Sequence, residues 1–495
     1  MVFTSAAFLF LFLPAFLAVF HALPVRTRPW WLLLASYAFY GWWRLDFLAL
    51  FVGSTVAAFA AGRLVARWRE SRPAGARWAL GIGVGLQLLA LAYFKYADFG
   101  IESLNALLTT FGGRGIPLPD VILPIGISFY VFQSISYLVD LWRRDGPEGA
   151  RFVHVAAYIA LFPQLIAGPI LRFKHVAPQL LRPVPSWRSF GEGARRFMLG
   201  FTKKVLIADA VAPVVEASFA LSSPTATDAW LGTIAFTVQL YFDFVGYSDM
   251  AIGLGGMIGI RIRENFDRPY LSASITEFWR RWHMSLSRWL REYLYFPLGG
   301  NRLGRRRTYA NLATVMVLGG IWHGAAWTFA VWGAYHGALL ALERMLGERR
   351  EARGLPARGG ARAWRVPATF LLVMLGWVLF RADGIAQAWT MLRGMAFVHG
   401  AGLSAELAWQ LPNRGLASLL VGLVVIFWPA ARTRYDDAGY RVPAWRAARD
   451  ASGRVSGALA AARERATDWG IMPLFALSIL RTLADTASPF LYFQF

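Results

Sequence analysis

The stretch Leu318-Gly319-Gly320-Ile321-Trp322-His323-Gly324-Ala325-Ala326-Trp327 lies inside an apolar run, Ala310 to Leu342, that carries no charge until Glu343. A run of that length is membrane-like. It accommodates one long tilted helix or two shorter pieces. A histidine there has little water around it, and burying a polar nitrogen unpaired costs about 2 kcal/mol or more. His323 therefore has two readings. It packs and hydrogen-bonds between helices, or it does chemistry, since ionisable residues in membrane segments face the protein interior and mark functional paths. Gly319, Gly320 and Gly324 leave room for a molecule to approach it, which favours chemistry.

Working outward, the whole chain has the same character. Of 495 residues, 57% are hydrophobic and 16% charged, against about a quarter charged in ordinary soluble domains. The expected class is an all-α polytopic membrane protein with roughly 10–13 membrane elements, some broken or re-entrant. It reads as one integrated membrane domain over 1–495. Residues 1–120 form peripheral spans, 121–345 a core, and 346–495 further spans with basic cytoplasmic loops. The first run, Ala6–Leu23, has no preceding basic residue and no following cleavage site, so it reads as a span and not as a signal peptide.

The formal net charge is +22. The arginines sit in gaps between apolar runs, which fits the positive-inside rule and anionic lipid better than nucleic acid. Arg63, Arg67, Arg69, Arg72 and Arg77 face one acid, Glu70, in one gap, and Gly347–Arg365 is a second arginine-rich loop. Placing the basic gaps in the cytoplasm puts the N-terminus outside. Trp78–Tyr93 then spans outward, and Lys95–Asp120 is an outer segment. Val121–Trp142 holds Pro124, Gly126 and several polar residues, so it faces protein and not lipid. Phe162-Pro163-Gln164-Leu165-Ile166-Ala167-Gly168-Pro169 predicts a broken element.

Two further stretches carry candidate chemistry. Gln239 to Asp249 sets Asp243 and Asp249 in an apolar run. They read as pH-active acids, as metal ligands on a weak signal, or as buried partners of arginine or hydroxyl groups. Thr276–Tyr295, plotted as one helix, gathers Glu277, Arg280, Arg281, Arg288 and Arg291 within about 100° of arc, opposite Phe278, Trp279, Trp282, Leu286, Trp289, Leu290 and Tyr293. That is a basic amphipathic helix suited to the interface, with His283 at its boundary. On one straight helix His323 and His336 stand about 20 Å apart, so His336 reads as structural.

Much chemistry is excluded. There is no cysteine, hence no disulfide, thiolate nucleophile or Cys-ligated metal. Gly-x-Ser-x-Gly, Walker A, dinucleotide-binding and His-Glu-x-x-His patterns are absent. No metal site and no resident cofactor are expected. What remains is an embedded imidazole, suited as a general base toward a hydroxyl, and a basic interfacial stretch suited to an anionic donor.

Leu123 to Tyr130, Phe162 to Pro169, Gln239 to Met250, Glu277 to Ser287, Trp289 to Arg302, Gly319 to Trp327 and the closing Ser488 to Phe495 together resemble the membrane-bound O-acyltransferase family. Within it the likeness is to bacterial members that acetylate the exported polysaccharide alginate, with relatives acting on cellulose, peptidoglycan or teichoic acid. The resemblance covers nearly the whole chain except Ala430–Asp468. It implies a funnel-like helical bundle with a central channel in the bacterial inner membrane. It also implies acetyl transfer from a cytoplasmic donor, acetyl-CoA, toward a periplasmic acetyltransferase partner or the polymer itself. His323 matches the family's essential histidine and His283 its second histidine. Trp279, Trp282, Arg280, Arg281, Trp322, Trp327, Asp243 and Asp249 are the expected lining. Two rivals remain at this point: a transporter using His323 and the aspartates as a proton relay, and a scaffold without chemistry.

Overall fold

The computed structural model describes the chain except residues 148, 182, 184, 354–361, 429–454, 485–490 and 492–495, and the side chains of 455–469. The Ala430–Asp468 segment and the closing Ser488–Phe495 thus lie largely outside the described residues. Among the described residues the regular structure is helical throughout. Contacts divide the chain into two compact units. One holds residues 1–197, 248–262 and 485–493; the other holds 198–247, 263–484 and 494–495.

The first unit begins with α1 (Leu13–Ala22), α2 (Arg28–Gly41), α3 (Leu45–Ser71) and α4 (Pro73–Thr110). Arg44 and Asp46 close the α2–α3 turn as an ion pair at the start of α3. The helix expected to end near Tyr93 continues through Lys95 to Thr110. The outer segment is therefore mostly helix, because Ala97 to Thr109 holds no proline and only Gly100 to interrupt it. Next come α5 (Ile127–Trp142), α6 (Phe152–Ile159), α7 (Phe173–Leu181) and α8 (Trp187–Thr202). Gly126 starts α5 in the left-handed region at φ 73°, where a Cβ would stand 2.7 Å from the Leu165 carbonyl. The break at Phe162–Pro169 is present as a buried, non-helical turn. Such backbone survives at membrane depth only when protein encloses it.

The second unit carries α9 (Asp209–Phe219), most of α10 (Ala226–Met257), α11 (Ile275–Arg281), α12 (Met284–Leu290), α13 (Gly304–His323), α14 (Trp327–Ala352), α15 (Arg362–Arg381), α16 (Ile385–Met395), α17 (Ala405–Gln410), α18 (Asn413–Phe427) and α19 (Val455–Ala484). Three helices among the described residues, α3, α4 and α15, are long and apolar enough to cross a membrane by themselves. Shorter apolar helices lie at Ala7–Ala22, Asn413–Phe427 and Gly470–Ala484. Arginines cap the ends of α14 and α15. The expected Gly347–Arg365 loop is shortened, since α14 runs to Ala352 and α15 begins at Arg362.

One expectation is corrected here. Thr276–Tyr295 is not one helix: α11 ends at Arg281 and α12 begins at Met284, with His283 between them at φ 43°. Of the two alternatives for Ala310–Leu342, the structure has the second: two helices, α13 and α14, folded back on each other. Gly320 and Gly333 let them cross: a Cβ on Gly320 would lie 2.2 Å from the Phe329 carbonyl, and one on Gly333 would lie 2.3 Å from that of Met316. Glycine allows the two backbones this close approach.

Candidate functional site

His283 is set by the break in the helix. Ser274 caps α11, accepting from the Glu277 N–H at 3.0 Å, while the Glu277 carboxylate accepts from the Ala273 N–H at 2.7 Å. Burial works against ionisation of Glu277, but the Ala273 N–H, Arg281 and Arg362 outweigh it and hold its carboxyl below the usual range. The chain then turns through His283 in a left-handed conformation, which costs a non-glycine residue about 1–3 kcal/mol and recurs at functional sites.

Asn265 holds the turn. Its carbonyl accepts from Met284 N–H at 2.9 Å, and its side-chain Oδ1 lies 3.1 Å from Ser285 N, 2.8 Å from Ser285 Oγ and 3.2 Å from His283 Nδ1. The Ser285 N–H donates to this atom, so the atom is the amide oxygen. Nδ1 of a neutral His283 therefore carries the proton and Nε2 presents the lone pair. Sequence reading missed Asn265. Its signal was available in the polar pair Glu264-Asn265 beside an apolar run, but the pairing to Ser285 spans 20 residues.

His323 is the last residue of α13 and is 5% exposed; His283 is fully buried. Their ring centroids are 6.3 Å apart. Around His323 stand Trp322 at 5.0 Å, Trp332 at 5.3 Å and Phe380 at 5.3 Å. The fold thus brings the two histidines together, although 40 positions separate them. Gly320 and Gly324 serve packing, not access: a Cβ on Gly324 would stand 2.0 Å from the Phe329 ring.

The hairpin also moves His336. Its ring touches Trp332 at 5.1 Å, and Trp332 touches His323. The 20 Å separation, which assumed one straight helix, does not hold. His336 is fully buried among Phe278, Trp279 and Trp332, and neither ring nitrogen has a hydrogen-bond partner among the described residues.

The other expected lining residues are distributed unevenly. Trp282 is buried against Phe266, Tyr270 and Trp377. Trp279 packs on Trp332, while Arg280 is exposed and Arg281 pairs with Glu277 at 2.8 Å. Trp322 is buried against both histidines, whereas Trp327 is 59% exposed. Asp243 pairs with Lys204 at 2.6 Å, and the same ammonium meets Asp209 at 2.6 Å. Asp249 pairs with Arg196 at 2.6 Å. Both aspartates thus have ion-pair partners. Among the described residues no group of three or more His, Asp or Glu side chains is arranged to hold a metal.

Residues 147–380 match the family model described as MBOAT, membrane-bound O-acyltransferase family. A protein named probable alginate O-acetylase from Azotobacter vinelandii is 49% identical over the full length of both chains. The protein of that name from Pseudomonas aeruginosa is 46% identical, again over both full lengths. A peptidoglycan O-acetyltransferase of Helicobacter pylori is 35% identical over 81% of each chain. The chain belongs to the membrane-bound O-acyltransferase family. It is a membrane-bound acyltransferase, and of the three readings left open by the sequence the transporter and the scaffold give way.

Proposed function

We propose that this protein moves acetyl groups from cytoplasmic acetyl-CoA to an acceptor hydroxyl for O-acetylation of an exported polysaccharide, alginate first among the candidates. His323 takes the proton from the acceptor hydroxyl as its oxygen attacks the thioester carbonyl. The carbon–sulfur bond breaks, and the thiolate leaves with the proton that His323 accepted. His283, with Nδ1–H donated to Asn265, offers Nε2 as a second basic nitrogen to orient the reacting hydroxyl or the carbonyl-bearing donor.

The observation that carries the reading is the meeting of the two buried histidines at 6.3 Å, one at a helix end and one in a strained turn tied by Asn265. The full-length relatives named as alginate O-acetylases support alginate as the acceptor polymer. The placement of His323 supports access from the far face. Arg305, at the opposite end of α13, pairs with Glu348 on α14 at 2.8 Å, so both basic ends of the hairpin lie together. By the positive-inside rule that end is cytoplasmic, and His323 lies about 27 Å from it along the helix. The same rule supports a periplasmic N-terminus, and the bacterial relatives support the inner membrane. The acceptor is the polymer or a periplasmic acetyltransferase partner that relays the acetyl group.

Membranes containing the full chain, supplied with labelled acetyl-CoA and alginate oligosaccharide, test this. Label is expected on the polysaccharide or on a partner protein, and lost with His323→Ala at an unchanged melting temperature. Full transfer by a folded His323→Ala protein removes His323 from the mechanism.

A further inference from the structure

We infer that Phe380, backed by Trp332, is the wall that limits the transferred acyl group to about two carbons. This rests on the reading that transfer takes place at His323. A base acts on a hydroxyl within about 2.6–3.2 Å of its nitrogen, and the acyl carbon must meet that same oxygen. The reacting carbonyl is therefore confined to the immediate shell of the imidazole. That shell is already walled by rings: Trp322 at 5.0 Å, Trp332 at 5.3 Å, Phe380 at 5.3 Å and His283 at 6.3 Å. These are ring contact distances. A methyl beyond the carbonyl occupies little of this space, and each further methylene has to enter where a ring edge stands.

The wall is held in place. Phe380 is 2% exposed and meets Phe329 edge-on at 5.0 Å, Trp332 at 5.1 Å and Trp377 at 5.5 Å. Phe329 is fixed in turn by the hairpin, whose glycines leave no slack at positions 320 and 324. Trp332 is 1% exposed and stacks on Trp377 at 6.0 Å. A dense interior transmits strain and does not yield to one added methylene. Phe380 is the informative residue because it stands on α15, not on the hairpin that carries His323. Its truncation opens space beside the imidazole and leaves the backbone of His323 untouched.

The experiment supplies acetyl-, propionyl- and butyryl-CoA separately to membranes bearing the full chain, with alginate oligosaccharide as acceptor, and reads the ester mass on the products. One methylene in an apolar pocket discriminates by about 10–200-fold. The wild type is expected to favour acetyl over butyryl by at least about 100-fold. Phe380→Ala should cut that preference at least about tenfold, and Phe380→Leu should fall between. If Phe380→Ala loses its melting transition, Phe380→Leu and Trp332→Phe carry the comparison. A folded variant that transfers acetyl with the wild-type preference overturns the inference, as does a wild type that uses butyryl as readily as acetyl. Absence of transfer from every donor in the wild type, to the oligosaccharide and to every membrane protein alike, instead refutes acetyl transfer from a CoA thioester, and the size limit falls with it.

Discussion

Replacing Asp243 decides whether a buried carboxylate is structural or a proton carrier. Asp243 and Lys204 are 1% and 5% exposed at the side chain and lie 2.6 Å apart, and Asp209, on the other side of Lys204, is 18% exposed. Breaking a buried ion pair by removing one partner costs about 3–5 kcal/mol, because the remaining charge is left buried. Here Asp209 still faces Lys204, so the expected cost of Asp243→Ala falls to about 2–3 kcal/mol. At about 2 °C per kcal/mol for a large chain, the melting temperature drops by about 4–6 °C. Replacing both buried charges together, Lys204→Met with Asp243→Leu, leaves only the partly exposed Asp209, and most of the lost stability should return. Thermal unfolding in detergent, followed by intrinsic tryptophan fluorescence, measures both variants. The acyl-transfer assay run beside it separates the roles. If the pair is structural, the double variant is stable and transfers within a few-fold of wild type. A stable double variant without transfer refutes this reasoning and returns Asp243 to the reaction path.

Three other variants follow from the geometry. Asn265→Ala removes the acceptor that fixes the proton on His283 Nδ1 and two bonds to Ser285; transfer should fall about 10–100-fold by analogy with supporting partners of metal-bound histidines, and Asn265→Asp should restore part of it. Gly333→Ala forces a methyl to 2.3 Å from the Met316 carbonyl, so the α13–α14 crossing must open, and loss of about 1–3 kcal/mol should appear as a lower melting temperature. His336→Leu exchanges a buried imidazole without hydrogen-bond partners for an apolar side chain of similar size; melting temperature should hold or rise, and transfer should persist, with loss of transfer in a stable protein showing that His336 acts in the reaction.

The sequence made the helical membrane class legible, because charge-poor runs separated by arginines are a bulk property that tertiary context does not reverse. The broken element at Phe162–Pro169 was legible for a similar reason: proline cannot donate to a helix ladder. His323 stood out as a histidine in an apolar run. Failures came where two distant segments touch. A helical wheel over Thr276–Tyr295 assumes one continuous helix, yet Asn265 pulls the chain into a left-handed turn at His283 and divides it. No periodicity within twenty residues contains that bond.

His336 shows what the choice between one helix and two decides. The run is long enough for either, and only the straight alternative sets His336 about 20 Å from His323. The run does contain the answer, since glycines at 320, 324 and 333 are what two crossing helices require. Read as room for a substrate, they point to an open approach; read as backbone contacts, they fold the run in half. The second reading returns His336 to within one tryptophan ring of His323. It also explains why the enclosure is tight. The residues that bring His323 to the hairpin tip are the same ones that clamp Phe329, and through it Phe380, against the imidazole. Position and confinement of the His323 imidazole are therefore one structural event, and on the proposed mechanism a mutation that loosens the crossing should degrade rate and acyl selectivity together.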